Sequence, residues 1–212
     1  MVDRKERQLQ GKSPWLTIWF EPKETIRQIV KTDLRQGFLI LSAIYGLPLA
    51  FNLIQSFAFS TVVPLWAILI GSLVLCSFLG MIGIYVASWL LEFTGKWIGG
   101  KANFMEIRAA VAWSNVPTVV TILMWVLLLG VFGGQIFDRE FAQTQFVGYQ
   151  AGTLFIVMLI EMVISVWGFL ILLNTLAEVQ GFSVWRALLN VVIPFVGIVA
   201  IIWFLGWALY GS

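Results

Sequence analysis

The sequence predicts an all-α integral membrane protein, a bundle of five transmembrane helices preceded by an amphipathic interfacial helix. The first observation is composition: 60% of the 212 residues are hydrophobic and 11% are charged, whereas a soluble domain is roughly 25% charged. The second is that long apolar runs alternate with short polar loops. The third is a polar N-terminal segment with basic and aliphatic residues at helical spacing.

An amphipathic helix is expected within residues 14–36, after a polar tail of residues 1–13. At about 100° per residue, three aliphatic side chains share one helical face. They are Ile26, Ile29 and Val30. A basic stripe lies next to them, formed by Lys23, Arg27 and Lys31. This pattern is typical of a helix in the membrane interface, with its basic side toward anionic lipid head groups. A solvated linker is the alternative.

Five apolar segments then follow within the membrane domain, residues 37–212. Each is long enough to cross a bilayer, which takes about 20 residues. We place the spans at residues 38–59, 62–91, 109–134, 150–176 and 187–210. Only the fourth contains a charged residue type, Glu161.

The positions of basic residues predict the orientation of these spans. Five spans place twelve of the thirteen Lys and Arg residues on one side, and only Arg139 on the other. Besides the N-terminal segment, that side carries Lys96, Lys101 and Arg108 after the second span and Arg186 after the fourth. Positive charge marks the cytoplasmic side. We therefore expect a cytoplasmic N-terminus, an external C-terminus and lipid-interface positions for these basic residues, with Arg108 reaching lipid phosphates.

The stretch GGKANFMEIRAAVAWSNVP joins the second and third spans. Its two glycines allow a turn, and Asn103 with Glu106 has the spacing of a capping box. Pro117 lacks a backbone donor, so we expect it to kink the third span and to leave the carbonyl of Trp113 in need of another partner. Prolines also stand partway along the first and fifth spans, at Pro48 and Pro194.

Glu161 is the sharpest candidate for a functional residue, because an ionisable side chain deep in a span is costly and by default suggests function. One interpretation is a proton-titrating or cation-binding carboxylate. The other is a neutral acid bonded to a carbonyl that a proline has freed. Four further residues complete the candidate polar site: Asn115, Pro117, Asn190 and Pro194. Asparagines in spans also serve as interhelical hydrogen-bonding groups, which is the structural alternative.

Several function classes are excluded or disfavoured by residue content. The chain has no His, and its single cysteine, Cys76, lies in an apolar run. His-based catalysis, a Cys/His zinc site and an internal disulfide are therefore excluded, and we expect no enzyme activity, no cofactor and no nucleic-acid partner.

Ser72, Cys76 and Gly80 form a small-residue face on the second span, which packs either within the bundle or in a homodimer.

Two stretches make the chain resemble the YIP domain: PWLTIWFEPKETIRQIV before the first span, and TGKWIGGKANFMEIRAAVAWSNVP in the middle. The resemblance covers about residues 14–205, and the five-helix layout is similar too. It implies a multi-pass protein with a cytoplasmic N-terminus. Eukaryotic members of that family reside in ER and Golgi membranes and are linked to Rab-type GTPases and vesicle formation.

This chain departs from the eukaryotic pattern, since it lacks their long cytoplasmic tail and the Asp-Leu-Tyr-Gly-Pro-like motif. GTPase binding is therefore not carried over. The short form resembles prokaryotic members, which favours a bacterial cytoplasmic membrane. The resemblance implies a non-enzymatic membrane-organising or trafficking-type adaptor, and a small transporter or channel using Glu161 is the alternative. The expected partners are the anionic cytoplasmic leaflet and either a second copy or other membrane proteins.

Overall fold

The computed structural model describes residues 13–57 and 63–210, and all regular elements in these ranges are helical. The chain divides into two compact units. Unit 1 comprises Met1–Leu34, Tyr85–Val111 and Leu172–Ser212, and unit 2 comprises Arg35–Ile84 and Ala112–Ile171. The predicted end of the first span and the predicted start of the second, residues 59 and 62, lie outside the described residues.

The helices follow one another along the chain with short connections. They are α1 (Pro14–Thr17), α2 (Pro22–Thr32), α3 (Phe38–Ser56), α4 (Leu65–Trp97), α5 (Phe104–Ser114), α6 (Thr118–Phe132), α7 (Tyr149–Gln180) and α8 (Val184–Tyr210). Two short 3₁₀ turns, Gly133–Phe137 and Phe141–Gln143, precede α7.

Five helical segments are long and apolar enough to cross a membrane, which confirms the predicted all-helical, five-span fold class. They are Phe38–Ser56, Leu65–Trp97, Thr118–Phe137, Tyr149–Gln180 and Val184–Ala208. The second and fourth spans, which are α4 and α7, continue past the apolar runs from which they were predicted. In α4 the extension carries Glu92 and Lys96, whose side chains pair at 2.8 Å one turn apart and so support a helix beyond the uncharged run.

The predicted amphipathic segment contains α2, with Pro22 at the start of the helix and Glu24 in its first turn. The apolar face of α2 is covered by the protein. Ile26 is 0% exposed and Ile29 is 1% exposed, and Ile18 just before α2 is also 0% exposed. The interfacial position of this segment stays a prediction, whereas its isoleucine side chains pack against the chain's own residues.

The helix α5 begins with the expected capping box. The backbone N–H of Asn103 donates to Oε2 of Glu106 at 2.8 Å, and the backbone N–H of Glu106 donates to Oδ1 of Asn103 at 3.1 Å. These two bonds satisfy donors that a helix start leaves open. The helix consequently starts at Phe104, before the apolar run.

The third predicted span is interrupted rather than kinked. Regular helix stops at Ser114 and resumes at Thr118. Between them the chain tightens, and the N–H of Val116 donates to the carbonyl of Trp113 at 3.2 Å. The carbonyl that Pro117 was expected to leave without a helical donor thus obtains one from a 3₁₀-type turn.

Unit 2 has an aromatic core between α3 and α6. The rings of Phe51 and Trp125 lie 5.0 Å apart, and Trp125 stacks on Phe137 at 6.0 Å. Gln55 of α3 donates from Nε2 to the carbonyl of Ile136 at 2.9 Å, so one polar side chain in this region also joins two elements.

The small-residue face of α4 packs against α3 within unit 2. A Cβ on Gly46 would collide with the backbone of Cys76, and a Cβ on Gly80 would collide with the backbone of Ser42. Of the two roles open to this face, close packing inside the chain is the one observed. Glycine lets the two helix backbones meet directly, as is typical of membrane helix pairs.

Candidate functional site

The predicted polar residues are distributed over both units. Asn190 and Pro194 belong to unit 1, whereas Glu161, Asn115 and Pro117 belong to unit 2. Each unit is therefore considered by itself, beginning with unit 1, where polar side chains are both numerous and buried.

The centre of the unit 1 site is a buried polar cluster of three side chains, Thr94, Gln180 and Asn190, which are 3%, 1% and 0% exposed. The Thr94 hydroxyl lies 2.7 Å from Oδ1 of Asn190 and 3.2 Å from the backbone carbonyl oxygen of Asn190. That carbonyl lies four residues before Pro194, which has no N–H to offer it. The single hydroxyl proton thus has three acceptors within reach, because the carbonyl of Leu90 also lies 2.9 Å away, and the carbonyl that the proline releases is one of the three.

Gln180 fastens the end of α7 to the loop after α4. Its Oε1 accepts from the N–H of Ala102 at 3.3 Å, and its backbone carbonyl accepts from the N–H of Lys101, also at 3.3 Å. Two glycines make room for this side chain. A Cβ on Gly95 would lie 3.2 Å from Cδ of Gln180, and a Cβ on Gly100 would lie 2.8 Å from the same atom.

The two buried amides present their nitrogens near the same glycine. Nδ2 of Asn190 lies 3.3 Å from the point that a Cβ of Gly95 would occupy, and Nε2 of Gln180 is also in contact with that point. Within the described residues neither nitrogen has a hydrogen-bond acceptor. Rotation of the Asn190 amide by about 180° would let Nδ2 donate to the Thr94 hydroxyl and would bring Oδ1 to the side of Gly95. Amides and a hydroxyl fasten helix ends without carrying charge.

Arg108 differs from the expectation that it reaches lipid phosphates, because it is only 5% exposed. Its Nη1 donates to the Tyr85 hydroxyl at 3.1 Å, and its Nη2 donates to the carbonyl of Leu34 at 3.3 Å. The guanidinium also lies 5.7 Å from the centre of the Tyr85 ring. Arg108 of α5 thus contacts both the chain just after α2 and the C-terminal half of α4.

Arg27 joins α2 to the end of α7 through an ion pair. Its Nε lies 2.7 Å from Oε1 of Glu178, and the two side chains are 34% and 22% exposed. Thr25 of α2 is buried, and its hydroxyl lies 2.9 Å from that of Thr17. This bond joins α2 to the short helix α1.

The other predicted interface residues remain near the surface of unit 1. Lys23 is half-buried, and the exposed ones are Lys31, Lys96, Lys101 and Arg186. Large apolar side chains are exposed near them in the sequence: Leu16 at 72%, Phe20 at 82%, Trp97 at 65% and Trp185 at 77%. Basic residues alternating with exposed aromatic ones are typical of a surface in contact with a membrane interface.

In unit 2, Glu161 is half-buried in α7. Its carboxyl makes no hydrogen bond or ion pair with a described residue. Asn115 is half-buried and Pro117 is buried, both at the break between α5 and α6. The carbonyl of Ser114, at the same break, lies 3.6 Å from the Cβ position of Gly168 on α7. Among the described residues, no group of three or more His, Cys, Asp or Glu side chains could hold a metal ion.

Sequence reasoning missed Thr94, Glu178 and Gln180, although all three stand at the ends of apolar runs. Polar residues in the last turn of a span predict a buried contact only when glycines elsewhere in the chain, such as Gly95 and Gly100, leave room for them. Their partners lie far away in the chain, and a single sequence does not show which ones meet.

A family model described as the Yip1 domain matches residues 16–206, which is nearly the whole chain. No curated protein matches the chain, and no solved structure matches it.

Proposed function

The chain belongs to the Yip1 domain family, and we propose that it is a non-enzymatic, membrane-organising protein of the adaptor type. In this proposal the five spans anchor the protein in a bacterial inner membrane, with α2 and the basic helix ends of unit 1 at the cytoplasmic surface. Its exposed basic residues then gather anionic lipids, and its surface is open to a second copy or to other membrane proteins.

One observation carries the proposal: α2 is fastened to the ends of membrane-spanning helices rather than left as a loose tail. Ile26 and Ile29 are buried, and Arg27 pairs with Glu178 at the end of α7. A fixed surface of this kind holds its basic side chains in one plane. Each basic residue near an anionic leaflet contributes about 1 kcal/mol of attraction, so several together concentrate such lipids.

The proposal is tested with the purified protein in vesicles of phosphatidylcholine that contain a minor fraction of fluorescent phosphatidylglycerol. The wild type should increase self-quenching, because it gathers the labelled lipid. Replacing Lys31, Lys101 and Arg186 by Gln should remove most of that increase, since about 3 kcal/mol of attraction is lost. The matched control is Arg139→Gln in the loop on the opposite predicted side, which should quench like the wild type. Equal quenching with and without protein would contradict the proposal.

A small transporter or channel is the second candidate, favoured by Glu161, a half-buried carboxyl without a bonding partner among the described residues. The cavity between α3 and α4 in unit 2, about 390 Å³ in volume, gives a transport function little support. Its lining is apolar except for Ser72, whose hydroxyl donates to the carbonyl of Ile68 at 2.8 Å. Vesicles with an internal pH dye decide this: a proton leak in the wild type that disappears in Glu161→Gln would favour transport.

A further inference from the structure

The cavity between α3 and α4 belongs to unit 2, and the lipid gathering proposed for unit 1 does not involve it. Its floor is formed by the buried residues Ala50, Ile68 and Ser72. Its rim is open, since Leu53 and Leu75 are 39% and 51% exposed. These residues lie in the first two membrane-spanning helices, so the opening of the cavity faces the hydrocarbon of a bilayer.

The two helices touch closely at one level and leave space at another. At Gly46 a Cβ would collide with the backbone of Cys76. A Cβ on Gly71, which lines the cavity, would meet nothing within 4 Å. The floor is held in place, because Ile68 belongs to the same buried cluster as Phe51 of α3. The cavity is therefore preformed by the packing of unit 2.

The shape of the cavity suits a linear chain. Its lining residues on α4 run from Ala67 to Leu79, a distance of about 18 Å at 1.5 Å per residue. Its volume of about 390 Å³ is near the lower end of the range of roughly 300–1,000 Å³ that is usual for small-molecule sites. A small volume spread over this length describes a narrow groove. Half of a hydrocarbon core is about 15 Å thick, so the tail of a lipid from one leaflet has a matching length.

The chemistry of the lining favours a phospholipid tail over water and over a free fatty acid. Among the described lining residues Ser72 is the one polar side chain, and its hydroxyl already donates to the carbonyl of Ile68 at 2.8 Å. A buried water needs about two to four polar partners, which this lining does not offer. None of the described lining residues is basic, so none would pair with the carboxylate of a fatty acid. A phospholipid has no such need, because its head group stays in the polar layer of the membrane.

We propose that this cavity is a resident phospholipid site, in which one acyl chain lies between α3 and α4 and the head group stays at the membrane surface near the end of α3. In the five-span topology this is the outer leaflet. The chain supplies the floor residues with the dispersion contacts that a gap would deny them. The site recognises the tail and needs no anionic head group, so it is independent of the lipid gathering proposed for unit 1.

The test uses the full protein in phosphatidylcholine nanodiscs that contain a phosphatidylcholine with a photoactivatable diazirine in one acyl chain. One sample is irradiated in the nanodisc. A second is first extracted into detergent and washed, which removes the surrounding lipid, and mass spectrometry then locates the adducts. In the nanodisc both the rim residues Leu53 and Leu75 and the exposed Ile201 of α8 should be labelled. After washing, only the rim residues should be. Loss of their adducts together with those of Ile201 would overturn the proposal.

A variant that fills the cavity locates the retained lipid. Gly71→Leu should lose the adducts on Leu53 after washing, because its side chain takes the place of the acyl chain. The matched control is Gly130→Leu on α6, an exposed position outside the lining where a Cβ also meets nothing within 4 Å, and it should retain them. If Gly71→Leu does not fold, Ala67→Leu at another lining position replaces it. Adducts that persist in the filled variant would refute the site.

Two further measurements separate the proposed occupant from others. Excess oleic acid, added before irradiation, should leave the adducts on Leu53 in place, and their removal would assign the cavity to a free fatty acid. Leu75→Cys in a Cys76→Ala background, which lacks the single native cysteine, should stay monomeric under oxidising conditions in nanodiscs. A disulfide-linked dimer would show that a second copy covers the cavity. Either of these two results would overturn the proposal.

Discussion

At the scale of single residues, the fit between Gly95 and Gln180 shows why a glycine stands inside a regular helix. Gly95 lies within α4, where glycine costs helix stability relative to alanine. Its backbone conformation is the ordinary helical one, so the conformational freedom of glycine is not the reason. The reason is space, because the buried Gln180 side chain fills the volume a Cβ would need.

We predict that Gly95→Ala destabilises the protein by about 1–3 kcal/mol, the usual cost of overpacking. Replacing Gln180 by Ala as well removes the obstructing side chain, so in the double variant the additional cost of Gly95→Ala should disappear. Thermal unfolding in detergent micelles measures both effects. Gly152→Ala is the matched control, since nothing lies within 4 Å of a Cβ at that helical glycine. Costs that simply add in the double variant would show that the two residues do not compete for space.

At the scale of helices, prolines produce different outcomes according to what surrounds them. Near Pro117 the chain forms a 3₁₀-type turn, and Val116 supplies the missing bond to Trp113. At Pro194 the helix α8 continues, and the Thr94 hydroxyl of α4 lies 3.2 Å from the carbonyl of Asn190, within hydrogen-bonding distance. The proline positions could be read from the sequence. Which donor replaces the lost one depends on neighbours that only folding brings close.

The role of Thr94 gives a prediction for α8. Thr94→Val should cost about 1 kcal/mol, because a buried carbonyl loses its donor. With Pro194→Ala in the background, a backbone N–H again reaches the carbonyl of Asn190, so the same valine substitution should cost less than half as much. A double-mutant cycle of unfolding temperatures measures the coupling. Equal costs in both backgrounds would mean that the Thr94 hydroxyl serves only the Asn190 side chain or Leu90.

The limits of sequence reasoning appear at this scale as well. Hydropathy was sufficient for the five spans, since lipid requires long apolar helices. The burial of Arg108 was not predictable, because a basic residue at a span end has the same sequence pattern whether it meets lipid or protein. The ion pair between Arg27 and Glu178 joins residues far apart in the chain, and no local pattern connects them.

At the scale of the whole molecule, charge is divided unevenly between the two units. Seven of the nine described Lys and Arg residues belong to unit 1, and the exceptions are Arg35 and Arg139. Unit 1 also contains the end of α4, the start of α5, the end of α7 and the whole of α8. Its four basic residues beyond α2 lie at the end of α4, in α5 and the loop before it, and at the start of α8, positions that a five-span topology would place on the side that the positive-inside rule assigns to the cytoplasm.

The topology is therefore the last prediction. A reporter active only in the cytoplasm should be silent when fused after Ser212, because an odd number of spans separates that end from the N-terminus. The same reporter inserted at Lys101, in the loop between α4 and α5, should be active and serves as the control for expression and folding. A second fusion near Arg139 should be silent like the first. In the five-span topology twelve basic residues oppose one across the membrane, so moving a single charge should not reverse this result. Activity after Ser212 together with activity at Lys101 would require an even number of spans and would remove the five-span arrangement.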